Sequence, residues 1–503
     1  MDFTALSLLL LFLSFLFKLI IGRYTSPTTR RQRLPPGPWK LPLVGSLHHL
    51  LLSRFGDLPH RAMRELSRTH GPLMLLRLGA VPTLVVSSAE AAREVMKTQD
   101  AAFASRHLSA TLDIISCGGK GVLFSPYNDR WRELRKVCVH ELFSPSRVLS
   151  FRAAREDEVA RLLRAVSAEC RHGRAVNLSE KMCRMTNDSV VRAAIGGRCD
   201  HRDEFLHELD EAVRLTGGIN LADLYPSSRL VRWLSVAARD MVRCQKNIYR
   251  IVQNIIRERD GAERDEDLLG VLLRLQKDGG LQFELTTEII STVIFDIFSA
   301  GSETSSTTVD WAMSELMKNP IVLHKVQSEV REAYKGQAKL TEDDLVRVRL
   351  GYLRLVIKET LRLHPPAALL LPRECRETCL VMGYDVPKGT KVFVNVWAMG
   401  RDDRYWGDAE AFRPERFENS TVDFKGADFE FLPFGAGRRM CPGMSLGMAN
   451  MELALASLLF HFDWEVPCGV TPQDLDMTET FGITVRRKSK LWVHAKPHVP
   501  CEN

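Results

Sequence analysis

The sequence predicts a mainly α-helical fold with a small β-sheet region and one N-terminal transmembrane helix. Three observations carry this: several long stretches of helical spacing, only a few brief strand-like runs, and an apolar run opening the chain. At 503 residues and 45% hydrophobic content, the chain can bury an extensive core. No long Gly/Ser-rich, Pro-rich or single-sign stretch divides it after residue 45, and no repeat period indicates a solenoid. The expected organisation is a membrane anchor over 1–22, a basic and Pro-rich hinge over 23–40, and one large unit over 41–503.

Phe3 to Ile21 is apolar except for Thr4, Ser7, Ser14 and Lys18. Its length is close to the ~20 residues that span a bilayer, and Lys18 can snorkel toward the interface. No small-x-small cleavage site follows, so an uncleaved anchor is expected rather than a removed signal peptide. Asp2 precedes the run, while Arg23, Arg30, Arg31 and Arg33 follow it. The positive-inside rule then leaves the bulk of the chain in the cytosol, where the sequons at Asn177, Asn187 and Asn419 never meet the glycosylation machinery. The net charge is +7, yet no long Lys/Arg tract or aromatic-interleaved basic stripe supports a nucleic-acid partner. Basic residues beside an apolar run suit a membrane surface instead. Pro35-Pro36-Gly37-Pro38 reads as a stiff bend, either a hinge or simply the start of the domain.

Helical spacing marks Glu156–Val166, Tyr249–Arg257 and Met451–Phe460. A longer helix is expected from Thr286 to Lys318, about 33 residues and roughly 50 Å, with Pro320 as its stop. Strand-like runs are Met74–Leu78, Thr83–Ser87, Lys391–Val396 and Leu491–His494. There is no G-x-G-x-x-G after a strand and no P-loop, hence no nicotinamide, flavin or nucleotide signature. The 11 cysteines are odd in number and scattered. Cys375 and Cys379 are too isolated for a zinc site, and reduced thiols in a cytosolic environment are expected.

One cysteine stands apart. Pro433 to Gly443 packs Gly435, Gly437 and Gly443 and two prolines around Cys441, just before a helical pattern that starts near Met444. Backbone N–H groups at a helix start stabilise a thiolate, and glycines let backbone approach a flat, bulky group. Alone, a cysteine in such a turn is usually structural. The whole stretch, however, resembles the haem-binding loop of the cytochrome P450 family, F-x-x-G-x-R-x-C-x-G, at Phe434, Gly437, Arg439, Cys441 and Gly443.

The resemblance extends along nearly the whole chain and is most like plant microsomal members, particularly the 71 family of specialised metabolism. It implies the P450 fold and haem b, with Cys441 as the axial thiolate ligand and the only metal ligand. Phe434 packs near the sulfur, Gly435 belongs to the same loop, and Arg439 pairs with a propionate. Trp131 and Arg135 fit the family's W-x-x-x-R, Arg373 sits where another propionate partner is found, and Arg106 is a further candidate. Glu359-Thr360-Leu361-Arg362 matches the E-x-x-R helix and Phe412 to Phe417 the segment supplying Arg416, which implies a buried Glu359–Arg362–Arg416 network.

Ala300-Gly301-Ser302-Glu303-Thr304 resembles the family's oxygen-binding groove. Gly in mid-helix costs about 1 kcal/mol against Ala, so Gly301 calls for a reason: room for dioxygen, or close packing by a small residue. Thr304 can bond a carbonyl of the preceding turn or the bound oxygen, and Glu303 would relay protons.

The implied activity is NADPH- and O2-dependent monooxygenation, with NADPH–cytochrome reductase as a separate electron donor and the endoplasmic-reticulum membrane as the location. Arg132, Lys136 and Arg438 are candidates for meeting the reductase's acidic surface. Ile294, Phe295, Phe298, Ala367, Ala368, Leu369, Leu370, Phe481 and Ile483 offer an apolar lining for a lipophilic substrate. A terpenoid hydroxylation comes first among readings; phenolic, indole and alkaloid substrates stay open. A haem-thiolate isomerase or dehydratase would share Cys441 but not need Glu303 and Thr304. A non-catalytic haem sensor or scaffold would bind haem without turnover.

Overall fold

Short polar side chains cap several of the helix starts. In a computed structural model that describes residues 33–217, 220–259, 267–467 and 469–499, the helices around the site are, in chain order, α1 (Asp129–Cys138), α2 (Arg152–Arg171), α3 (Leu178–Ile195), α4 (Arg202–Gly217), α5 (Val236–Arg259), α6 (Thr287–Lys318), α7 (Gly351–Leu363) and α8 (Met444–His461). Asn128 accepts the Trp131 N–H at 2.9 Å to cap α1, and Thr286 accepts the Ile289 N–H at 3.3 Å to cap α6. Gly196, at φ +68°, closes α3 in the left-handed conformation. Pro320 does more than stop α6: as the first residue of the helix Pro320–Ala333 it starts the next one, where its missing N–H costs nothing.

The strands are β1 (Leu73–Leu78), β2 (Val81–Val86), β3 (Ser105–Arg106), β4 (Val176–Asn177), β5 (Arg373–Glu374), β6 (Cys379–Val381), β7 (Tyr384–Val386), β8 (Lys391–Val394), β9 (Phe462–Glu465), β10 (Glu479–Phe481), β11 (Val485–Arg487) and β12 (Trp492–Pro497). A five-stranded sheet runs β1-β2-β8-β5-β3, antiparallel except for the parallel β2–β8 pair, in which Thr83 faces Lys391. A three-stranded sheet runs β4-β12-β9, while β6–β7 and β10–β11 are separate hairpins. The expected α-rich body with small sheets is therefore present. The two-residue strands and the two hairpins had no periodic signature, because their register is fixed by neighbours rather than by alternation.

Two large apolar clusters surround α6. One joins it to α2, α3, α7 and α8; the other joins it to α1, α3, α4 and α5. Helix α6 packs most closely on α3, where a Cβ on Gly301 would lie 2.8 Å from Val190 Cγ2. The Pro-rich segment is pinned to the body: Leu75 N–H donates to the Pro36 carbonyl at 2.8 Å, and a Cβ on Gly37 would overlap the Leu75 carbonyl. The expected anchor over 1–22 and the first ten residues of the hinge lie outside the described residues. Among the described residues no helix is long and apolar enough to cross a membrane.

Glu359 braces the side of the body that carries the cysteine loop. Its carboxylate accepts from Arg362 Nε and Nη2, both at 2.7 Å, from Arg416 Nε at 2.9 Å and from the Arg413 N–H at 2.8 Å. Both side chains of the Glu359–Arg362 pair are 0% exposed. Arg362 spends its other donors on the carbonyls of Gly400, Ala409 and Ala411, so helix α7 and the 400–416 segment are held by one ion cluster. Removing one partner leaves an uncompensated buried charge. Glu359→Ala is expected to lower unfolding free energy by about 3–5 kcal/mol, measured by chemical denaturation; a loss within 1 kcal/mol would mean the cluster does not brace the fold.

Candidate active site

The loop between Pro433 and Gly443 folds as a tight turn because its glycines permit it. Gly435 and Gly437 adopt φ +69° and +67°, and a Cβ on Gly437 would sit 2.2 Å from the Met96 carbonyl oxygen. Gly443 is the residue before α8 and lies against the Phe143 ring. Inside this turn the Cys441 N–H donates to the Phe434 carbonyl at 2.9 Å, and Arg135 on α1 donates to the Met440 carbonyl at 2.6 Å. The Phe434 ring meets Phe424 edge-on at 5.3 Å.

Cys441 lies deep in the body, yet its surface is open because it borders an internal cavity of about 290 Å³. Burial pushes its thiol above the ordinary range, against a hydrogen bond from the Gly443 N–H and the charge of Arg135. Across the cavity runs the middle of α6, with Ala300, Gly301, Glu303 and Thr304 in the wall. The expected cysteine loop and oxygen-groove segment thus face one another. The Thr304 hydroxyl donates to the Ala300 carbonyl at 2.8 Å, the back-bond open to it on a helix. Gly301 has its Cβ direction aimed at Val190, so close helix packing accounts for its lack of a side chain, while its backbone borders the cavity.

Glu303 points elsewhere than toward Thr304. Its carboxylate accepts from the Thr484 hydroxyl at 2.8 Å and pairs with Arg486 Nε at 3.2 Å, and Arg486 in turn reaches the exposed Asp210. The sequence offered no signal for this pairing, because the hairpin β10–β11 that delivers Thr484 and Arg486 lies about 180 residues away.

Four guanidinium groups, those of Arg106, Arg135, Arg373 and Arg439, border the same cavity. Arg439 donates to the carbonyls of Ala104 (2.6 Å) and Ser125 (2.5 Å), leaving Nη1 buried without a partner. Arg373 donates to the Ala436 carbonyl, and Arg106 to those of Leu123 and Leu371. Burial, then repulsion by Arg373 and Arg135, lowers Arg439 to about 9; burial and the other three arginines lower Arg106 well below its ordinary value. Among the described residues one carboxylate, Asp100, pairs with this cluster, lying 3.4 Å from Arg373, and it also reaches Arg438 at 3.1 Å. Such an excess of buried positive charge, with an orphaned donor, fits a group carrying anionic arms. A cysteine sulfur and apolar walls beside it fit the flat, iron-bearing body of haem. Trp131 differs from expectation in detail: its indole N–H is already given to the Val122 carbonyl at 3.0 Å, and its ring lies 3.9 Å beneath Arg439.

Of the expected lining, Phe295, Ala367, Leu370 and Ile483 border the cavity. Ile294 and Phe298 turn into the core, and Ala368, Leu369 and Phe481 border a smaller neighbouring cavity. Leu209, Ala212, Val213 and Thr216 on α4 complete the wall; no motif marked them. Arg132, Lys136 and Arg438 are exposed, and the Tyr127 ring gathers Arg132, Arg376 and Arg438 around it.

Comparison with known proteins places these features in context. The family model "Cytochrome P450" matches residues 35–493. The chain is 53% identical over 473 residues to dolabradiene monooxygenase of Zea mays, covering 93% of each chain. It is 46% identical over 509 residues to 5-epiaristolochene 1,3-dihydroxylase of Nicotiana tabacum, covering 99% of each. Among solved structures, a zebra fish cytochrome P450 with progesterone superposes with a TM-score of 0.76 at 26% identity, over 87% of this chain and 99% of that one.

Asp296, two turns before Thr304, is a site residue that the motifs did not include. Its one visible signal was an acid in the apolar run Ile289 to Ser299. The carboxylate accepts the Val122 and Leu123 N–H groups at 2.7 and 2.9 Å, pinning the loop that covers the cavity, and leaves Oδ1 unpaired. Burial outweighs those bonds and raises it to about 7. Folding then holds a proton that the unfolded chain releases near pH 4, so stability is full below that pH and declines as pH rises toward 7. Asp296→Asn should remove this decline, seen as a smaller difference in denaturation midpoint between pH 5 and 7.5. An unchanged difference would assign the slope to other groups.

Proposed function

The chain belongs to the cytochrome P450 family, and from that premise we propose that it hydroxylates a terpenoid hydrocarbon or alcohol, with Cys441 as the iron ligand. It is a monooxygenase of the oxidoreductase class, using O2, haem b on a cysteine thiolate, and electrons from a separate reductase. The observation that carries the reading is Cys441 opening into a mainly apolar cavity that the arginine cluster also borders. Relatives whose names describe oxygenation of dolabradiene and 5-epiaristolochene support the substrate class.

Bound haem supplies the electron transfer and dioxygen activation that put one oxygen atom into a C–H bond. The protein's own residues do the rest. Arg106, Arg135, Arg373 and Arg439 would hold the propionates, which would relieve the repulsion among these arginines. The Gly443 N–H and Arg135 restrain the charge of the Cys441 sulfur. Phe295, Ala367, Leu370 and Ile483 exclude water and orient an apolar substrate. Thr304 would hold a hydroxyl at the cavity wall opposite Cys441, where the proton it now gives to the Ala300 carbonyl could be turned into the cavity. Glu303 borders the cavity while its carboxylate is held by Thr484 and Arg486, and it would carry protons inward by turning from these partners toward the cavity.

We extend the reading to location and partner. Trp39 (64% exposed), Leu43 and Leu52 form one exposed apolar segment; Leu230, Trp233 (73% exposed) and Leu234 form another. Tyr225 OH donates to the Leu43 carbonyl and ties the two together beside the start of the described chain. This apolar face supports an endoplasmic-reticulum membrane protein with the anchor at 1–22, the hinge at 23–40 and the catalytic domain at 41–503 in the cytosol. The cationic surface around Tyr127, with Arg132, Lys136 and Arg438, suits the acidic face of NADPH–cytochrome reductase.

Cys441→Ala is expected to abolish the thiolate-type carbon monoxide difference spectrum in folded protein; its survival would move the ligand elsewhere. Thr304→Ala should retain haem while product per NADPH falls about tenfold or more and peroxide rises; unchanged coupling would remove Thr304 from proton delivery. Titration of the ferric enzyme with terpenoids, phenolics, indoles and alkaloids should give a saturable low-to-high-spin shift with a terpenoid. A shift with another class alone would reassign the substrate.

A further inference from the structure

Beside the reaction cavity lies a smaller one of about 120 Å³ that shares Leu112, Thr216, Leu370 and Ile483 with it. One side of it is the face of the five-stranded sheet. Along β8, Val392 and Val394 turn into the core, which leaves Lys391 and Phe393 on the opposite, cavity-bordering face, alongside Thr83 of β2. The Lys391 ammonium lies 4.4 Å over the Phe393 ring. Among the described residues no carboxylate comes within 4.0 Å of it. The acid whose charge acts on it, Asp223, has both oxygens engaged: Oδ1 by the Thr111 N–H at 3.0 Å, Oδ2 by the Thr111 hydroxyl at 2.9 Å and Asn220 Nδ2 at 2.6 Å.

We propose that Lys391 is an anion site in an antechamber of the active site, receiving the carboxylate of a terpenoid acid whose apolar body extends into the reaction cavity. A cation half-sheltered from water and lacking a counter-ion gains from a charge-assisted bond more than an exposed lysine does. Burial holds Lys391 down to about 8, so it is still mostly charged at neutral pH while its charge is costly to keep alone. The Thr83 hydroxyl, held only by a 3.4 Å bond to the Val81 carbonyl, and the second N–H of the Asn220 amide can complete the bonds of a carboxylate, whereas the residues shared with the reaction cavity are mainly apolar. The site thus accepts a ligand with one anionic end and one greasy end. Such a ligand arises where a terminal carbon has already been oxidised to the acid, so a preceding oxidation supplies the substrate. The proposal rests on the terpenoid reading above.

The test is equilibrium dialysis of the full-length haem protein with abietic acid and with methyl abietate, for the native chain, Lys391→Met and Lys391→Arg. Spin-shift titration with a neutral terpenoid alcohol runs in parallel and reports on the terpenoid reading separately. The expected result is a preference of about tenfold or more for the acid over the ester in the native chain. Lys391→Met erases it without changing ester affinity, and Lys391→Arg restores most of it. Equal affinities in the native chain, or equal weakening of acid and ester by Lys391→Met, would overturn the anion site. Loss of the neutral-alcohol shift in all three proteins would count against the terpenoid reading and leave the dialysis result interpretable.

Discussion

A helix of 32 residues through the middle of a protein must satisfy its own polar groups, and α6 does so turn by turn. Ser302, Thr304, Ser306, Thr308 and Ser314 each return their hydroxyl to the carbonyl four residues earlier. That self-sufficiency lets the helix run between two apolar clusters, and everything at the site is then measured from it. Gly301 sets how close α3 can come; Asp296 fixes the covering loop; Glu303 receives the hairpin; Trp311 stacks on His364 at 4.0 Å beyond the end of α7. The same back-bonding that permits burial also parks the Thr304 hydroxyl, ready to be exchanged.

The second constraint is electrostatic. Four guanidiniums around one cavity, three of them buried, are unfavourable in the protein alone, since burial desolvates them and Arg106 and Arg439 are repelled by the others. Carbonyls of Ala104, Ser125, Leu123, Leu371, Ala436 and Met440 soften the burden without neutralising it. Asp100 pairs with Arg373 alone among the four, so an anionic occupant would offset the charge that remains. The Glu359 cluster is the opposite case, with its carboxylate fully engaged by Arg362, Arg416 and the Arg413 N–H, and it holds structure rather than a ligand. Two arginine-rich clusters therefore serve different ends, and the count of available carboxylate oxygens separates them.

What the sequence determined by itself was local. Helical spacing marked α2, α5, α6 and α8, short strand-like runs marked β1, β2, β8 and β12, and Gly435 and Gly437 near Cys441 matched the backbone angles that the turn adopts. The E-x-x-R pair was legible because its first bonds join residues three apart on one helix. Tertiary structure alone decided the partners that come from far along the chain. It gave the Trp131 N–H to Val122, joined Glu303 to Thr484 and Arg486, turned Gly301 toward Val190, and left Lys391 in a cavity without a counter-ion. The reason is physical: backbone preference and periodicity act over a few residues, whereas burial, repulsion and hydrogen-bond satisfaction depend on which distant side chains the packed body brings within a few ångströms.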